Sequence, residues 1–123
     1  GNSDWSVCSG DNTKRMKAKG KYYAIPYDFD WSGFVNTSYA IPHPKYDIED
    51  VTDRVYVGKD FNKPVFRKAA EEFRQKRPEL FHLVEKCPFL DKNNKRRALR
   101  YLEVFFERIK DEKRLEHYFF GRR

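Results

Sequence analysis

The spacing of apolar residues changes near Asn62, and this change constrains the fold more than any other feature of the chain. Beyond Asn62, apolar side chains recur every three or four residues, which is the period of one face of an α-helix. Asn62 and Asp91 are suitable N-caps, because their side-chain oxygens can accept hydrogen bonds from the amides of a first helical turn. The pattern predicts a helix over 63–76, a short second helix that starts at Pro78 and ends before Pro88, and the longest helix after Asp91. The buried face of that longest helix is expected to contain Leu99, Leu102, Phe106 and Ile109.

The first half of the chain lacks a helical period and is rich in turn-forming residues. Residues 1–19 are polar and predict a loop. Residues 21–27 are rich in Tyr and contain Ile, which favours a short strand, and Pro26 indicates that this strand lies at an edge or ends there. Residues 29–60 predict a long, partly extended excursion, in which 54–57 form a second short strand.

These patterns predict an α+β fold, with a small two- or three-stranded element near the N-terminus and a mostly helical C-terminal half. The 123 residues fit one domain. The chain is therefore a single domain or the C-terminal fragment of a larger one, with a loop and strand region over 1–60 and a helical region over 61–123. Motif-like residues begin at residue 2, whereas chain termini are usually poorly ordered, and this favours the fragment.

Composition narrows the classes of partner. The chain has 26 Lys and Arg against 19 Asp and Glu, which gives a formal net charge of +7. A positive balance suits a polyanion such as nucleic acid, a membrane surface or nucleotide phosphates, although no nucleic-acid-binding module is recognisable. No apolar run is long enough to span a membrane. The two cysteines, Cys8 and Cys87, are too few for a disulfide framework and could form one bridge or remain thiols.

Acidic and amide side chains occur in two short segments near the N-terminus. Asp4 is followed by Asn12 and Lys14, and Asp28 and Asp30 directly follow the predicted strand. Alternate residues of a strand point to the same side, so Asp28 and Asp30 are aligned if the strand persists that far. Two aligned carboxylates, with an Asn and a further Asp from a preceding loop, supply the oxygen ligands that a hard cation such as Mg²⁺ prefers.

The order of these residues resembles the C-lobe of an atypical protein kinase, closest to the CotH-type and HipA-type kinase-like families. The segment Asn2-Ser3-Asp4-Trp5 resembles a catalytic loop, and Asp28-Phe29-Asp30 resembles the metal-binding Asp-Phe-Gly triplet. The resemblance implies that Asp4 is the base or orients the substrate. It implies that Asn12 and Asp28 are metal ligands, with Asp30 as an additional or alternative ligand. Lys14 would offset charge on the phosphoryl group.

The cofactor implied by this resemblance is Mg²⁺ with ATP. The Gly-rich loop and strand Lys that hold ATP belong to an N-lobe that this chain does not contain, so the isolated chain is expected to be inactive. The sequence also departs from the usual pattern. The spacing from Asp4 to Asn12 is longer than in the usual loop, Asn2 and Ser3 stand in place of His and Arg, and Asp30 stands in place of Gly.

Other interpretations stay open. Asp4 can be a capping residue, and Asp28 and Asp30 can accept hydrogen bonds from turn amides. The rival function is a non-enzymatic interaction module, whose aromatic and basic surface binds a protein or a polyanion. A basic run that opens the longest helix, between Lys92 and Arg100, suits a phosphate-binding patch but is explained more simply by a solvated helix face.

Overall fold

The computed structural model of the protein describes residues 2, 4–7, 9–56 and 62–120. The chain divides into two compact units, Gly1–Val55 and Tyr56–Arg123. Within the described residues, a two-stranded antiparallel sheet precedes three α-helices and one π-helical turn. The predicted α+β class, with a mostly helical C-terminal half, is therefore confirmed.

The N-terminal unit is built on a β-hairpin. Its strands are β1, Thr13–Ala18, and β2, Lys21–Pro26, and they are joined by the two-residue turn Lys19-Gly20. Both turn residues have positive φ, 49° and 74° respectively, as in a type I′ turn. This turn suits a two-residue hairpin because its twist matches the right-handed twist of the paired strands. The strand predicted over 21–27 is confirmed as β2.

Two of the strand predictions for this half are wrong. β1 lies in the segment for which the sequence predicts a loop. Thr13–Ala18 contains no aromatic residue and only one β-branched residue, so its extended form comes from six residue pairs with β2 rather than from its own propensity. The second predicted strand does not form over residues 54–56, and Val57 lies outside the described residues.

Few side chains of the N-terminal unit are buried. Val51 is the buried hydrophobic residue in its described part, and Thr13 and Ser32 are buried polar residues. After β2 the chain runs through successive turns, in which the amide of Asn36 donates to the carbonyl of Ser32 at 2.8 Å. An isolated antiparallel bridge joins Ser32 to Asn2. Backbone hydrogen bonds therefore organise this unit more than an apolar core does.

The helical unit contains α1, Lys63–Lys86, α2, Lys92–Arg108, and the short α3, Glu112–Leu115, followed by a π-helical turn over Glu116–Phe120. In the parts of the chain that the structure describes, every helix is too short or too polar to cross a lipid bilayer.

Both predicted N-caps are confirmed. The side chain of Asn62 accepts a hydrogen bond from the amide of Val65 at 3.3 Å. The Asp91 carboxylate accepts from the amides of Asn93 and Asn94 at 2.8 and 2.9 Å. These two bonds and the Asn94 side chain lower the pKa of Asp91. Polar side chains thus satisfy free amides at the start of each long helix.

Pro78 does not start a second helix, and that prediction is wrong. It lies inside α1, which has 24 residues and is longer than α2 with 17. An internal proline removes a helical hydrogen bond and costs about 3 kcal/mol. The neighbouring Arg77 makes contacts within α1 and with α2. The guanidinium of Arg77 lies 4.6 Å from the ring centre of Phe81 and 5.6 Å from that of Phe106, and it pairs with Glu103 at 2.7 Å.

The core of the helical unit forms where α1, α2 and α3 meet. Its buried members are Ala70, Phe106, Ile109 and Leu115, and Leu115 has no exposed surface. Arg74 reinforces this junction, because its Nη1 donates to the carbonyl of Ile109 at the end of α2, at 2.6 Å. Partly buried aromatic and aliphatic side chains surround the core: Phe66, Leu80, Phe81, Leu102, Phe105, Phe119 and Phe120.

Candidate functional site

The open end of the hairpin brings the two acidic segments together. The amide of Tyr27 donates to the carbonyl of Asn12 at 3.0 Å, which continues the strand pairing one step beyond the pair Thr13 and Pro26. Asn12 immediately precedes β1, and Asp28 immediately follows Tyr27. The register of one hairpin therefore sets the separation of Asn12 and Asp28.

Asp4 contacts Asn12 directly. The side-chain nitrogen of Asn12 donates to the backbone carbonyl of Asp4 at 3.0 Å and to its carboxylate Oδ2 at 2.8 Å. Both partners are acceptors, so the amide nitrogen must face Asp4 and the amide oxygen must point away from it. Within the described residues, no donor bonds that oxygen. It therefore keeps its capacity to accept a hydrogen bond or to bind a cation.

Asp28 and Asp30 lie close enough for one carboxyl group to donate a hydrogen bond to the other. That bond is the main reason why the pKa of Asp28 is raised above its ordinary value of 3.8. The negative charge of Asp30 comes next, and desolvation and the charge of Asp4 add to it. The strand ends at Pro26, so strand alternation does not align these two side chains as expected. Between the strand and the turn that follows it, Asp28 has a left-handed backbone conformation, with φ of 56°.

Two of the candidate ligands lie in the left-handed region of the backbone. The φ angle is 46° at Asn12 and 56° at Asp28. Residues other than glycine seldom adopt this conformation, although Asn and Asp do so more readily than the rest. Such outliers gather at active sites and ligand-binding sites, where the surrounding structure holds them. Both residues flank the open hairpin end, and both are of types that tolerate this conformation.

Two residues that the sequence analysis did not single out hold Asp30. The hydroxyl of Thr37 donates to the backbone carbonyl of Asp30 at 2.9 Å, and the hydroxyl of Tyr39 donates to its carboxylate at 3.1 Å. The bond to Asp30 is the largest cause of the raised pKa of Tyr39, so the phenol stays protonated and remains a donor. No local pattern signals these contacts, because they depend on a loop that folds back on itself.

Lys14 lies beside the site rather than in it. It belongs to β1 opposite Ile25, and its ammonium group lies 5.6 Å from the ring centre of Tyr27. Among the described residues, no carboxylate forms an ion pair with Lys14. Its predicted role toward a phosphoryl group stays a prediction.

A cavity of about 180 Å³ opens beside Asp4. Its lining includes Trp5 from the N-terminal segment and His43, Lys45 and Tyr46 from the loop that follows β2. Asp4 therefore contacts Asn12 and also borders a polar cavity. Neither His43 nor Lys45 belongs to a motif, so the sequence does not predict that they line this cavity.

Two buried donors flank Asp4. Within the described residues, the side-chain nitrogens of Asn2 and Trp5 are buried and have no hydrogen-bond partner. Native proteins rarely leave such groups unpaired, so each one requires an explanation. The Asn2 side chain also fixes Asp4, because its oxygen accepts from the Asp4 amide at 3.0 Å. Ser3, between them in the predicted catalytic loop, lies outside the described residues.

The chemistry of this set suits Mg²⁺. In the described part of the chain, no three His, Cys, Asp or Glu side chains are gathered closely enough to hold a metal ion by themselves. Mg²⁺ commonly takes only one or two protein carboxylates and keeps several waters. The neighbouring carboxyl groups of Asp28 and Asp30 would supply two such carboxylates. The assignment of Asp28, Asp30 and Asn12 as ligands, and of Asp4 as the base, stays a prediction.

The basic run that opens α2 makes local contacts. The ammonium of Lys95 donates to the carbonyl of Glu85 at 2.8 Å, and Arg96 donates to the side chain of Asn93 at 2.9 Å. The charge of Arg97 helps to lower the pKa of Asp91. These contacts favour a structural role in the helical unit over a phosphate-binding patch.

Comparison with known proteins finds no relative of this chain. No family model matches the chain, and no curated protein and no solved structure matches it. The kinase-like resemblance therefore stays a prediction from the sequence motifs.

Proposed function

We propose that the N-terminal unit is the metal-binding and catalytic-loop part of a kinase-like phosphotransferase. The observation that most supports this proposal is the open end of the hairpin. There, Asn12 is hydrogen-bonded to Asp4 and pairs with Tyr27, the residue before Asp28. Phosphoryl transfer in kinases uses an Asp, then an Asn, then a second Asp in that chain order. Here a single hairpin brings members of that series together.

The metal-binding residues in this proposal are Asp28, Asp30 and Asn12. A bound Mg²⁺ supplies positive charge that neutralises transferred and leaving phosphate groups. The raised pKa of Asp28 supports this assignment, because carboxylates that repel one another are stabilised by a cation between them. Tyr39 holds the Asp30 carboxylate through its hydroxyl and so limits its rotation.

Asp4 is proposed to accept the proton of the substrate hydroxyl group. Its Oδ2 is held by Asn12, and its side chain borders the cavity that Lys45 and His43 also line. A hydroxyl group in that cavity is therefore within reach of the carboxylate. Asn2 fixes the backbone at Asp4 and helps to orient it.

Nucleotide binding is proposed to need a preceding lobe, as the resemblance implies. A Gly-rich loop and a strand Lys would grip the phosphates, and Lys14 would offset phosphoryl charge from the edge of the hairpin. On this proposal the isolated chain is inactive. The full-length protein binds Mg-ATP, and Asp28→Ala together with Asp30→Ala abolishes that binding.

Thermal unfolding in millimolar Mg²⁺ tests the metal site on the isolated chain. We expect Mg²⁺ to raise the melting temperature of the wild type, and the double variant Asp28→Asn and Asp30→Asn to lose this response. The same double variant should melt higher than wild type without Mg²⁺, because the repulsion is gone. The matched control is Asp47→Asn with Glu49→Gln, which removes two exposed charges of the same unit. It should keep the Mg²⁺ response.

A merely structural role for the two carboxylates gives the opposite result. As acceptors for turn amides they would stabilise the turn, so their replacement would lower the melting temperature and Mg²⁺ would have no effect on either protein. For the full-length protein, calorimetric titration with Mg-ATP is the decisive measurement. The absence of both heat and thermal stabilisation at millimolar nucleotide would exclude an active phosphotransferase.

A further inference from the structure

The β-hairpin carries an uncompensated run of positive charge. Residues 13–27 contain five Lys and Arg and no Asp or Glu. All five cations are exposed, and no ion pair joins any of them to a described carboxylate. In the helical unit, by contrast, Arg67 pairs with Glu112, and Arg77 pairs with Glu103. The five hairpin cations are Lys14, Arg15, Lys17, Lys19 and Lys21.

Exposed tyrosines follow these cations, in β2 and directly after it. Every residue of β2 is exposed, and Tyr22 has 75% of its surface in contact with solvent. The ammonium of Lys17 lies 5.5 Å from the ring centre of Tyr22, and that of Lys14 lies 5.6 Å from the ring centre of Tyr27. Lys17 is opposite Tyr22 in the register. Lys14 precedes Lys17 by an odd number of residues, so its side chain points to the other face of the sheet. The pair of Lys17 with Tyr22 and the pair of Lys14 with Tyr27 therefore lie on opposite faces of the hairpin.

We propose that this hairpin binds single-stranded nucleic acid. Proteins that bind single strands without sequence preference combine cations for the phosphates with aromatic side chains on which bases stack. Each ring here has a cation beside it, so a nucleotide that stacks its base on Tyr22 or Tyr27 places its phosphate near a lysine. Apart from Lys14, the cations of this proposal have no role in the proposed phosphotransferase site, and the variants that test it leave Lys14 unchanged.

The distribution of side chains favours a single strand over other anionic partners. A membrane-bound amphipathic element separates an apolar face from a basic face, whereas this hairpin has a lysine and a tyrosine on both faces. A duplex offers its phosphates but keeps its bases stacked inside, so it cannot use the tyrosine rings. Flexible single strands present both groups to a ribbon that is exposed on its two faces.

Fluorescence anisotropy with a labelled oligothymidylate, the full chain and two salt concentrations tests the proposal. With roughly three to five phosphates neutralised, affinity should fall about 20- to 130-fold between 50 and 200 mM salt. The double variant Lys17→Glu and Lys21→Glu should bind at least about tenfold more weakly. The control, Lys68→Glu with Lys113→Glu, changes the net charge equally at exposed helical positions and should change affinity less than about threefold.

Replacement of Tyr22 separates stacking from charge. Tyr22→Ala should weaken binding by at least about fivefold, since stacking of one base is worth about 1 kcal/mol or more. Circular dichroism should show that the variant is folded, because the side chain is exposed. The proposal is wrong if the wild type does not bind at 50 mM salt, if the control variant loses as much affinity, or if Tyr22→Ala has no effect. Equal or tighter binding to a duplex of the same length, or to phosphatidylserine vesicles, would also overturn it.

Discussion

The two units of this chain achieve order by different means. In the helical unit, buried apolar side chains converge from three helices, and Asn62, Asp91 and Asp111 cap the helix starts. In the N-terminal unit, few side chains are buried, and turns with unusual backbone angles set the path of the chain. In the described part of the chain, every non-glycine residue with positive φ belongs to the N-terminal unit: Asn12, Lys19, Asp28 and Asn36.

This difference separates stability from chemistry. A packed core resists change because each member contacts several others, whereas a turn-based unit can direct individual polar side chains without burying them. The candidate site and the basic hairpin both lie in the N-terminal unit. The ion pairs of the helical unit join residues of that same unit, as the contacts of Arg67 with Glu112 and Glu116 illustrate.

The largest effect is expected from the helical core. Phe106→Ala should reduce the free energy of unfolding by about 3–5 kcal/mol, because it removes a buried ring and leaves a cavity. Guanidinium denaturation followed by far-ultraviolet circular dichroism measures it. Val104→Ala, on an exposed part of the same helix, is the control and should change stability by about 0.5 kcal/mol or less. A loss below about 1 kcal/mol for Phe106→Ala would contradict the packing described.

Both tryptophans of the chain, Trp5 and Trp31, belong to the N-terminal unit, so their fluorescence reports on that unit separately. If the contrast between the units is correct, Phe106→Ala shifts the transition seen by circular dichroism more than the transition seen by fluorescence. Equal shifts would show that the two units unfold as one.

A smaller effect is expected at the hairpin turn. Gly20 has φ of 74°, and a Cβ at this position would meet no atom within 4 Å. The cost of Gly20→Ala is therefore purely conformational, about 1–2 kcal/mol, since the left-handed region disfavours a side chain. Tryptophan fluorescence during denaturation measures the loss. Gly20→Asn is the matched control and should cost less, because Asn tolerates this region better. An unchanged midpoint for Gly20→Ala would be inconsistent with the type I′ turn.

The smallest effect is expected from pH. The pKa of Asp28 is raised in the folded protein, so the folded state binds its proton more tightly than the unfolded state. This contribution to stability is present at low pH and is lost as the pH rises through the raised pKa. Asp28→Asn removes the dependence, so the variant should gain stability relative to wild type as the pH increases from about the ordinary Asp pKa. Melting curves of both proteins over acidic pH, at low salt, give the difference directly.

A difference that is constant with pH, or that changes with the opposite sign, would show that Asp28 is stabilised as a carboxylate by the turn. Carboxyl chemical shifts of Asp28 followed by nuclear magnetic resonance give the same answer at the level of one residue. In the helical unit, Asp91 provides the contrast, because its pKa is lowered by the amides that it caps.

Local patterns predict the helical unit better than the hairpin unit. The caps Asn62 and Asp91 and the apolar spacing of α2 are properties of short segments, and the structure agrees with them. Pro78 is the exception, since local rules predict a break there. Next to Pro78, Arg77 stacks on Phe81 of its own helix and on Phe106 of α2, and the contact with Phe106 joins residues far apart in sequence. β1 was missed for a similar reason, because its order depends on its partner strand.

The candidate site shows the same limit. The sequence analysis singled out Asp4, Asn12, Asp28 and Asp30, because carboxylates and amides near a strand end are unusual, and the structure places contacts within this set. Tyr39 could not be predicted in this way. Its hydroxyl contacts Asp30 because the loop folds back, and the spacing of residues in this loop follows no helical or strand period. Strand alternation would align Asp28 with Asp30 only if the strand persisted that far, whereas β2 ends at Pro26 and Asp28 has a left-handed backbone conformation.

The hairpin register has a consequence for how this segment tolerates insertions and deletions. Asn12 and Asp28 lie at the open end, and every residue between them belongs to a strand, the turn or the final pair with Tyr27. A single residue added to one strand would rotate its remaining side chains to the other face and move Asn12 out of step with Asp28. Two residues added to each strand would restore both relationships. The hairpin can therefore change in length only by an even number of residues in each strand.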